Sequence, residues 1–187
     1  MPDRQIIVIT APSGAGKTTI ARRVMDAMPG LQFSVSMTTR PPRDGETDGV
    51  DYHFVSTDEF EAHIENDDLI EYEEVYPGRY YGTPRAEVEE KARERPILLD
   101  IDVKGAENVK RLFGDEVLVI FIAPPSIDAL AQRLRGRGTE SDDDLQARLD
   151  RAQMEIDRAG RFDALVVNDD LETAVEETLG HVRRFCN

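Results

Sequence analysis

The sequence predicts an α/β fold: a three-layer core around a mostly parallel sheet, with one inserted segment and one short flap. Three observations point there. Short apolar runs of strand length alternate with longer stretches of helical periodicity, the order that builds parallel sheets through crossover connections. The first apolar run leads straight into a glycine-rich loop and then a helical stretch. Two charged stretches, at about 33–83 and 133–148, break the alternation and read as surface segments over a core built from 1–32, 84–132 and 149–187.

The elements follow in order. Residues 5–10 form the first buried strand, and 18–28 a helix. The insertion carries short strands at 51–55 and 69–76 and a helix near 58–65. A helix at 84–95 precedes a strand at 97–101, and a helix at 104–113 precedes a strand at 117–122. Ser126, after Pro124-Pro125, can cap a helix over 126–135. A helix at 143–159, a buried strand at 164–167 and a helix at 171–185 complete the pattern. No internal repeat or low-complexity segment interrupts it.

At 187 residues the chain is sized for a single domain. No apolar run approaches the ~20 residues a membrane span needs, and the first residues do not read as a signal peptide. Cys186 is the sole cysteine, which excludes an internal disulfide and makes a reducing cytoplasm the expected compartment. The net charge of −15 repels nucleic acid and anionic membranes, so neither is an expected partner. Lys17, Lys91, Lys104 and Lys110 are the only lysines; every other basic residue is arginine. That bias and charge fit adaptation to concentrated salt, where ionic strength screens carboxylate repulsion. An ordinary acidic enzyme is the plainer alternative.

Ala11-Pro12-Ser13-Gly14-Ala15-Gly16-Lys17-Thr18, followed by Thr19, joins the first strand to the first helix. That context is the one a phosphate-cradling P-loop needs. Glycines let backbone N–H groups wrap an anion, and the helix N-terminus adds its dipole. Lys17 supplies charge to the β- and γ-phosphates of ATP, and the Thr18 hydroxyl can ligate Mg²⁺. The first position is Ala where the strict pattern has Gly. A second strand, Ile97-Leu98-Leu99-Asp100-Ile101-Asp102, ends in carboxylates that suit magnesium. Capping of the next helix is the competing role, and the two acids can divide the tasks.

The stretch Thr38-Thr39-Arg40-Pro41-Pro42-Arg43-Asp44-Gly45-Glu46 holds two arginines around two prolines. Prolines keep it extended and pre-position guanidinium forks that match a phosphate monoester. Tyr52 and Tyr81 can add phenolic donors. A merely solvated arginine loop is hard to favour in so acidic a chain.

With Gly49, Tyr52 and Phe54 added, this segment resembles the guanylate kinase signature. The likeness extends to Phe33-Ser34-Val35-Ser36, Arg79-Tyr80-Tyr81-Gly82-Thr83, Leu99-Asp100-Ile101-Asp102, Arg133-Leu134-Arg135-Gly136-Arg137-Gly138-Thr139 and Val167-Asn168-Asp169-Asp170, covering nearly the whole chain. The loop before Tyr80 is one residue longer than the family pattern.

The resemblance implies an ATP-dependent phosphorylation of GMP to GDP, with a GMP-binding insertion at 33–83 and a lid at 133–148. By the same resemblance Arg40, Arg43, Tyr52 and Tyr81 hold the GMP phosphate, while Ser36, Glu71 and Thr83 read the guanine. Asp102 lies near the acceptor and Asp100 near magnesium. Arg137 and Arg148 close onto the transferring phosphates, with Arg133 nearby, and Asn168 lies by the adenine of ATP. Lys17, Arg40, Arg137 and Arg148 are then the catalytic set.

A phosphate oxygen nucleophile is already anionic near neutral pH, so catalysis is positioning plus charge neutralisation and needs no general base. His53, His63 and His181 therefore read as structural or exposed. Two rivals share parts of this pattern: a kinase for another small phosphate acceptor, and a non-catalytic binding module built on the same fold. Ser36, Glu71 and Thr83 disfavour the first; Lys17, Arg40, Arg43 and Arg137 disfavour the second.

Overall fold

The computed structural model describes residues 4–136 and 142–187. Its central sheet has five parallel strands: β1 (Ile6–Thr10), β2 (Gln32–Phe33), β7 (Ile97–Asp100), β8 (Val117–Ala123) and β9 (Ala164–Val167), ordered β2-β7-β1-β8-β9. β1 is all apolar up to its final threonine because both its faces are covered. Ile7 and Ile9 face one way, packing with Ile20 and Val24 of α1 (Lys17–Ala27) and Val175, Leu179 and Val182 of α7 (Leu171–Cys186). Ile6 and Val8 face the other way. They pack with Val88 of α3 (Arg85–Glu94) and Val109 and Phe113 of α4 (Val103–Phe113).

The insertion forms a second, four-stranded sheet from β3 (Met37–Thr38), β4 (His53–Phe54), β5 (Leu69–Tyr76) and β6 (Arg79–Pro84), ordered β4-β3-β6-β5. Its own small core joins Met37, Leu69 and Phe60, the last from α2 (Thr57–Glu65). Ser56 and Glu59 close a capping box at the start of α2. Beside the core, α5 (Ile127–Arg135) and α6 (Asp142–Ile156) pack through Leu130, Leu134, Leu145 and Ala152.

Four expectations need correction. β9 is not buried on both faces: it is the edge of the sheet, with Leu165 and Val167 half-exposed. The helix expected over 143–159 ends at Ile156, and Ala159–Arg161 forms a separate 3₁₀ turn. The strand expected at 51–55 is confined to β4, and residues 79–84, given no element from the sequence, are strand β6, paired antiparallel to both β3 and β5. No helix among the described residues is long and apolar enough to cross a membrane.

The charge makes one prediction here. Exposed ion pairs are worth about 0–1 kcal/mol each, so the net charge of −15 sets the sign of the salt response. Tm should rise between dilute buffer and molar KCl, where the Debye length falls to ~3 Å. A flat melting profile would refute salt adaptation.

Candidate functional site

The loop between β1 and α1 bends through Gly14 (φ 91°) and Gly16 (φ 99°), a left-handed conformation that side chains rarely adopt. A Cβ on Gly16 would also collide with the Asn168 amide. That amide donates to the Ala15 carbonyl at 2.7 Å, so Asn168, just past the end of β9, is a brace for the loop. Arg133 in turn donates to the Asn168 carbonyl at 2.9 Å, and Arg148 of α6 donates to the Ser13 hydroxyl at 2.6 Å.

Lys17 and Thr18 meet the end of β7. Lys17 Nζ lies 2.6 Å from Asp100 Oδ1 and donates to the Ile101 carbonyl at 2.9 Å. The Thr18 hydroxyl donates to Asp100 Oδ2 at 3.0 Å. Asp102 does different work: it caps α4 by accepting from Gly105 N–H at 2.7 Å. The two carboxylates thus divide their work: Asp100 holds Lys17 and Thr18, and Asp102 caps α4.

Around the acceptor segment, the buried Arg40 donates two bonds to Glu46, both 2.6 Å, a fork-on-carboxylate pair. Glu46 also accepts Arg43 N–H at 2.7 Å. Arg40 and then the Arg43 N–H hold the Glu46 carboxyl down at about 2. The Arg40 guanidinium sits 4.9 Å from the Tyr52 ring centroid and 5.5 Å from that of Phe54, within cation–π range. Tyr81 meets Tyr52 edge-on at 6.0 Å. Arg40, Tyr52 and Tyr81 therefore converge, whereas the Arg43 side chain is exposed beside them. His53 is structural: its Nε2 faces Glu87 at 2.8 Å, and Glu87 also accepts Val35 N–H and Lys91, tying this segment to α3.

Glu71 and Thr83 are paired across β5 and β6, with the Thr83 hydroxyl donating to Glu71 Oε1 at 2.6 Å. Burial pushes the Glu71 carboxyl up to about 7; the Thr83 bond opposes this, Asp102 adds to it, and Lys17 opposes it. Ser36 enters through its carbonyl, which accepts His53 N–H at 2.9 Å. Gly105 lets α4 approach: a Cβ there would lie 2.9 Å from Glu71 Cγ and 3.1 Å from Asp102 Oδ1. Gly105→Ala should therefore show opposite effects, with a helix-propensity gain of up to ~1 kcal/mol and displacement of Glu71. Steady-state kinetics should show a raised KM for GMP, with the KM for ATP little changed; an unchanged KM for GMP would mean Glu71 tolerates the shift.

Beside the phosphate loop opens a cleft of about 870 Å³, bounded by Ser13, Gly14 and Gly16 to Thr19 of the loop, Asp102, and Arg148, Arg151 and Glu155 of α6. Its lining includes Asp102 but not Arg40, Tyr52 or Glu71. Arg137 lies outside the described residues. Sequence reasoning passed over Glu46 as a partner for Arg40, although it stands three residues after Arg43. It also missed Arg151, whose signal was its position one helical turn after Arg148.

Comparison with known proteins points to one family. The guanylate kinase family model matches residues 3–183. A guanylate kinase from Salinibacter ruber is 65% identical over 185 residues, 99% of this chain and 98% of its own length. One from Chlorobium luteolum is 48% identical over 182 residues, 97% of this chain and 92% of its own. The crystal structure of guanylate kinase from Anaplasma phagocytophilum superposes with a TM-score of 0.76 at 33% identity, covering 98% of this chain and 86% of that one. A gluconokinase from Sinorhizobium meliloti, at TM-score 0.55 and 16% identity, shares the fold alone. With a family model across nearly its full length and such similar relatives, this chain belongs to the guanylate kinase family.

Proposed function

We propose that this chain transfers the γ-phosphoryl group of ATP to GMP, giving ADP and GDP. The observation that carries the reading is Glu71: a carboxyl buried beside Thr83, close enough to Lys17 of the phosphate loop to feel its charge. Guanine presents N1–H and a 2-amino group side by side, and one carboxylate accepts from both.

The residues then divide the work. The loop N–H groups and Lys17 hold the ATP phosphates. Lys17 exchanges its bond to Asp100 for one to phosphate as charge builds between the β- and γ-groups. Arg40, aligned by Glu46 and stacked on Tyr52, holds the GMP phosphate with Tyr81 and Arg43 so that an anionic oxygen attacks in line. Arg148, at the loop through Ser13, stabilises the transferring group from the opposite side, joined by Arg137. Asn168 braces the donor loop, and the adenine of ATP would lie beside it.

The Thr18 hydroxyl and Asp100 carboxylate, 3.0 Å apart, are oxygen donors of the kind a hard cation takes alongside phosphate and water, so these residues fit Mg²⁺. Bound there, the ion would neutralise phosphate charge. The lone cysteine supports a reducing, cytoplasmic setting, and the acidity argues against nucleic acid or anionic membranes as partners.

A coupled ADP-release assay with GMP, AMP, CMP, UMP and dTMP tests the reading. GMP should be the preferred acceptor by roughly 10⁴-fold over AMP, as expected for a site built on buried polar pairing. Comparable rates with AMP or a pyrimidine nucleotide would assign the chain to another acceptor.

A further inference from the structure

We propose that Arg151 is a positioning residue for this reaction: it joins α6 to the acceptor strand β5 through Glu73 and so makes donor and acceptor binding cooperative. The inference rests on the acceptor reading above.

Arg151 Nη2 lies 3.0 Å from Glu73 Oε1 and 3.8 Å from Asp102 Oδ2, while its Nε donates to Glu155 Oε1 at 3.0 Å. One guanidinium thus serves three carboxylates from three elements: β5, the start of α4, and α6 itself. Glu73 follows Glu71 by two residues on β5, so both side chains leave the same face of the strand. A carboxylate that reads the base and one that anchors α6 are therefore fixed to a single rigid element.

The other end of the connection is also visible. Arg148 stands one turn before Arg151 on α6 and donates to Ser13 in the phosphate loop. The helix is held to α5 by Leu145, Leu149 and Ala152 against Leu130 and Leu134, so it can respond as a unit. A shift of β5 on binding the acceptor base would reach the phosphate loop through Glu73, Arg151, α6 and Arg148, a chain of named contacts rather than mere proximity.

Charge explains why an arginine is needed there. Burial pushes the Glu155 carboxyl upward; Arg151 opposes this, and Asp102 and Glu73 add to it. Glu71 is raised by the same two neighbours. Without Arg151, Asp102 and Glu155, which line a cleft that must take a polyanion, and Glu73 beside them would lose a shared cation. The side chain is half-exposed, so the single Glu73 pair contributes little to fold stability. Its effect should appear in coupling between ligands instead.

The test is calorimetric titration of GMP into the protein, alone and with a saturating non-hydrolysable ATP analogue plus Mg²⁺. The unaltered protein should gain about fivefold or more in GMP affinity when the analogue is present, a usual size for coupled sites. In Arg151→Gln and in Glu73→Gln the gain should fall close to unity, and the double variant should lose no more than either single one. Glu73→Gln keeps the test valid if Arg151→Gln folds poorly. Full retention of the gain in Glu73→Gln, or its absence from the unaltered protein, would overturn the proposal while leaving the acceptor reading intact. Failure of GMP to bind the unaltered protein at all would overturn both.

Discussion

Replacing Lys17 by Ala should lower kcat by roughly 10²–10³-fold or more, the size of effect seen when a preorganised charge-stabilising donor is removed, while GMP affinity stays nearly unchanged. The split follows from position. Lys17 Nζ sits between Asp100 and the Ile101 carbonyl, at the foot of the phosphate loop, and none of its bonds goes to Arg40 or Tyr52 among the described residues. Its charge is needed where negative charge migrates between β- and γ-phosphates, and it meets the acceptor only in the transition state. Removing it also leaves the largely buried Asp100 carboxylate, among the described residues, with only the Thr18 side chain to donate to it, so some stability should be lost. Melting curves beside single-turnover rates separate the two effects. Near-wild-type turnover in a folded Lys17→Ala protein would remove the phosphate-loop assignment.

Glu71→Gln should cost GMP roughly 2–5 kcal/mol in kcat/KM, the range for truncating one partner of a buried charged pair, and change AMP activity far less. Gln keeps an acceptor for Thr83 but sets a donor against a guanine donor. IMP lacks the 2-amino group, so it should fall between GMP and AMP. Equal losses on all three would make Glu71 structural.

The same residue predicts a pH response. In the fold its carboxyl titrates at about 7, above the ordinary 4.5. A raised acid contributes stability that is fully present below 4.5 and is lost as pH rises through about 7. Above that range the site holds an ionised carboxylate at a cost, which guanine donors relieve. Glu71→Gln should therefore melt higher than wild type at pH 8 and lose that advantage near pH 5. The KM for GMP should drop as pH rises through 7 in wild type. The GMP phosphate titrates near pH 6 in both proteins, so the variant's profile isolates the Glu71 contribution.

How much of this was readable in the sequence depends on the range of each interaction. The phosphate loop is local: two glycines, a lysine and a threonine between a strand and a helix fix its shape within eight residues. β5 was readable over its full span because its apolar and charged residues fall in one continuous strand-length run. β2 and β3, at two residues each, are too short to show periodicity. β6 looks like a loop because Tyr80-Tyr81-Gly82-Thr83 becomes a strand only by pairing with β5 and β3. The buried-edge distinction at β9 depends on strand order, which no apolar run encodes. Of the site, Lys17, Thr18, Arg40 and Arg43 stand in short local motifs, whereas Ser36, Glu71, Thr83 and Asn168 entered only through the family resemblance. The Arg151–Glu73 contact joins residues 78 apart and has no local signature. The crowding of Gly105 onto Glu71 likewise exists only once α4 packs on β5.

The central claim is transfer of a phosphoryl group to GMP, and ADP release alone does not separate transfer from hydrolysis. Incubating the protein with ATP labelled at the γ-phosphorus and with GMP, then locating the label, tests it most directly. The label should appear in the β-phosphate of GDP at the rate ADP forms, with little in inorganic phosphate, because the acceptor's own oxygen is the nucleophile. Label released mainly as inorganic phosphate, or carried to AMP as readily as to GMP, would contradict the account.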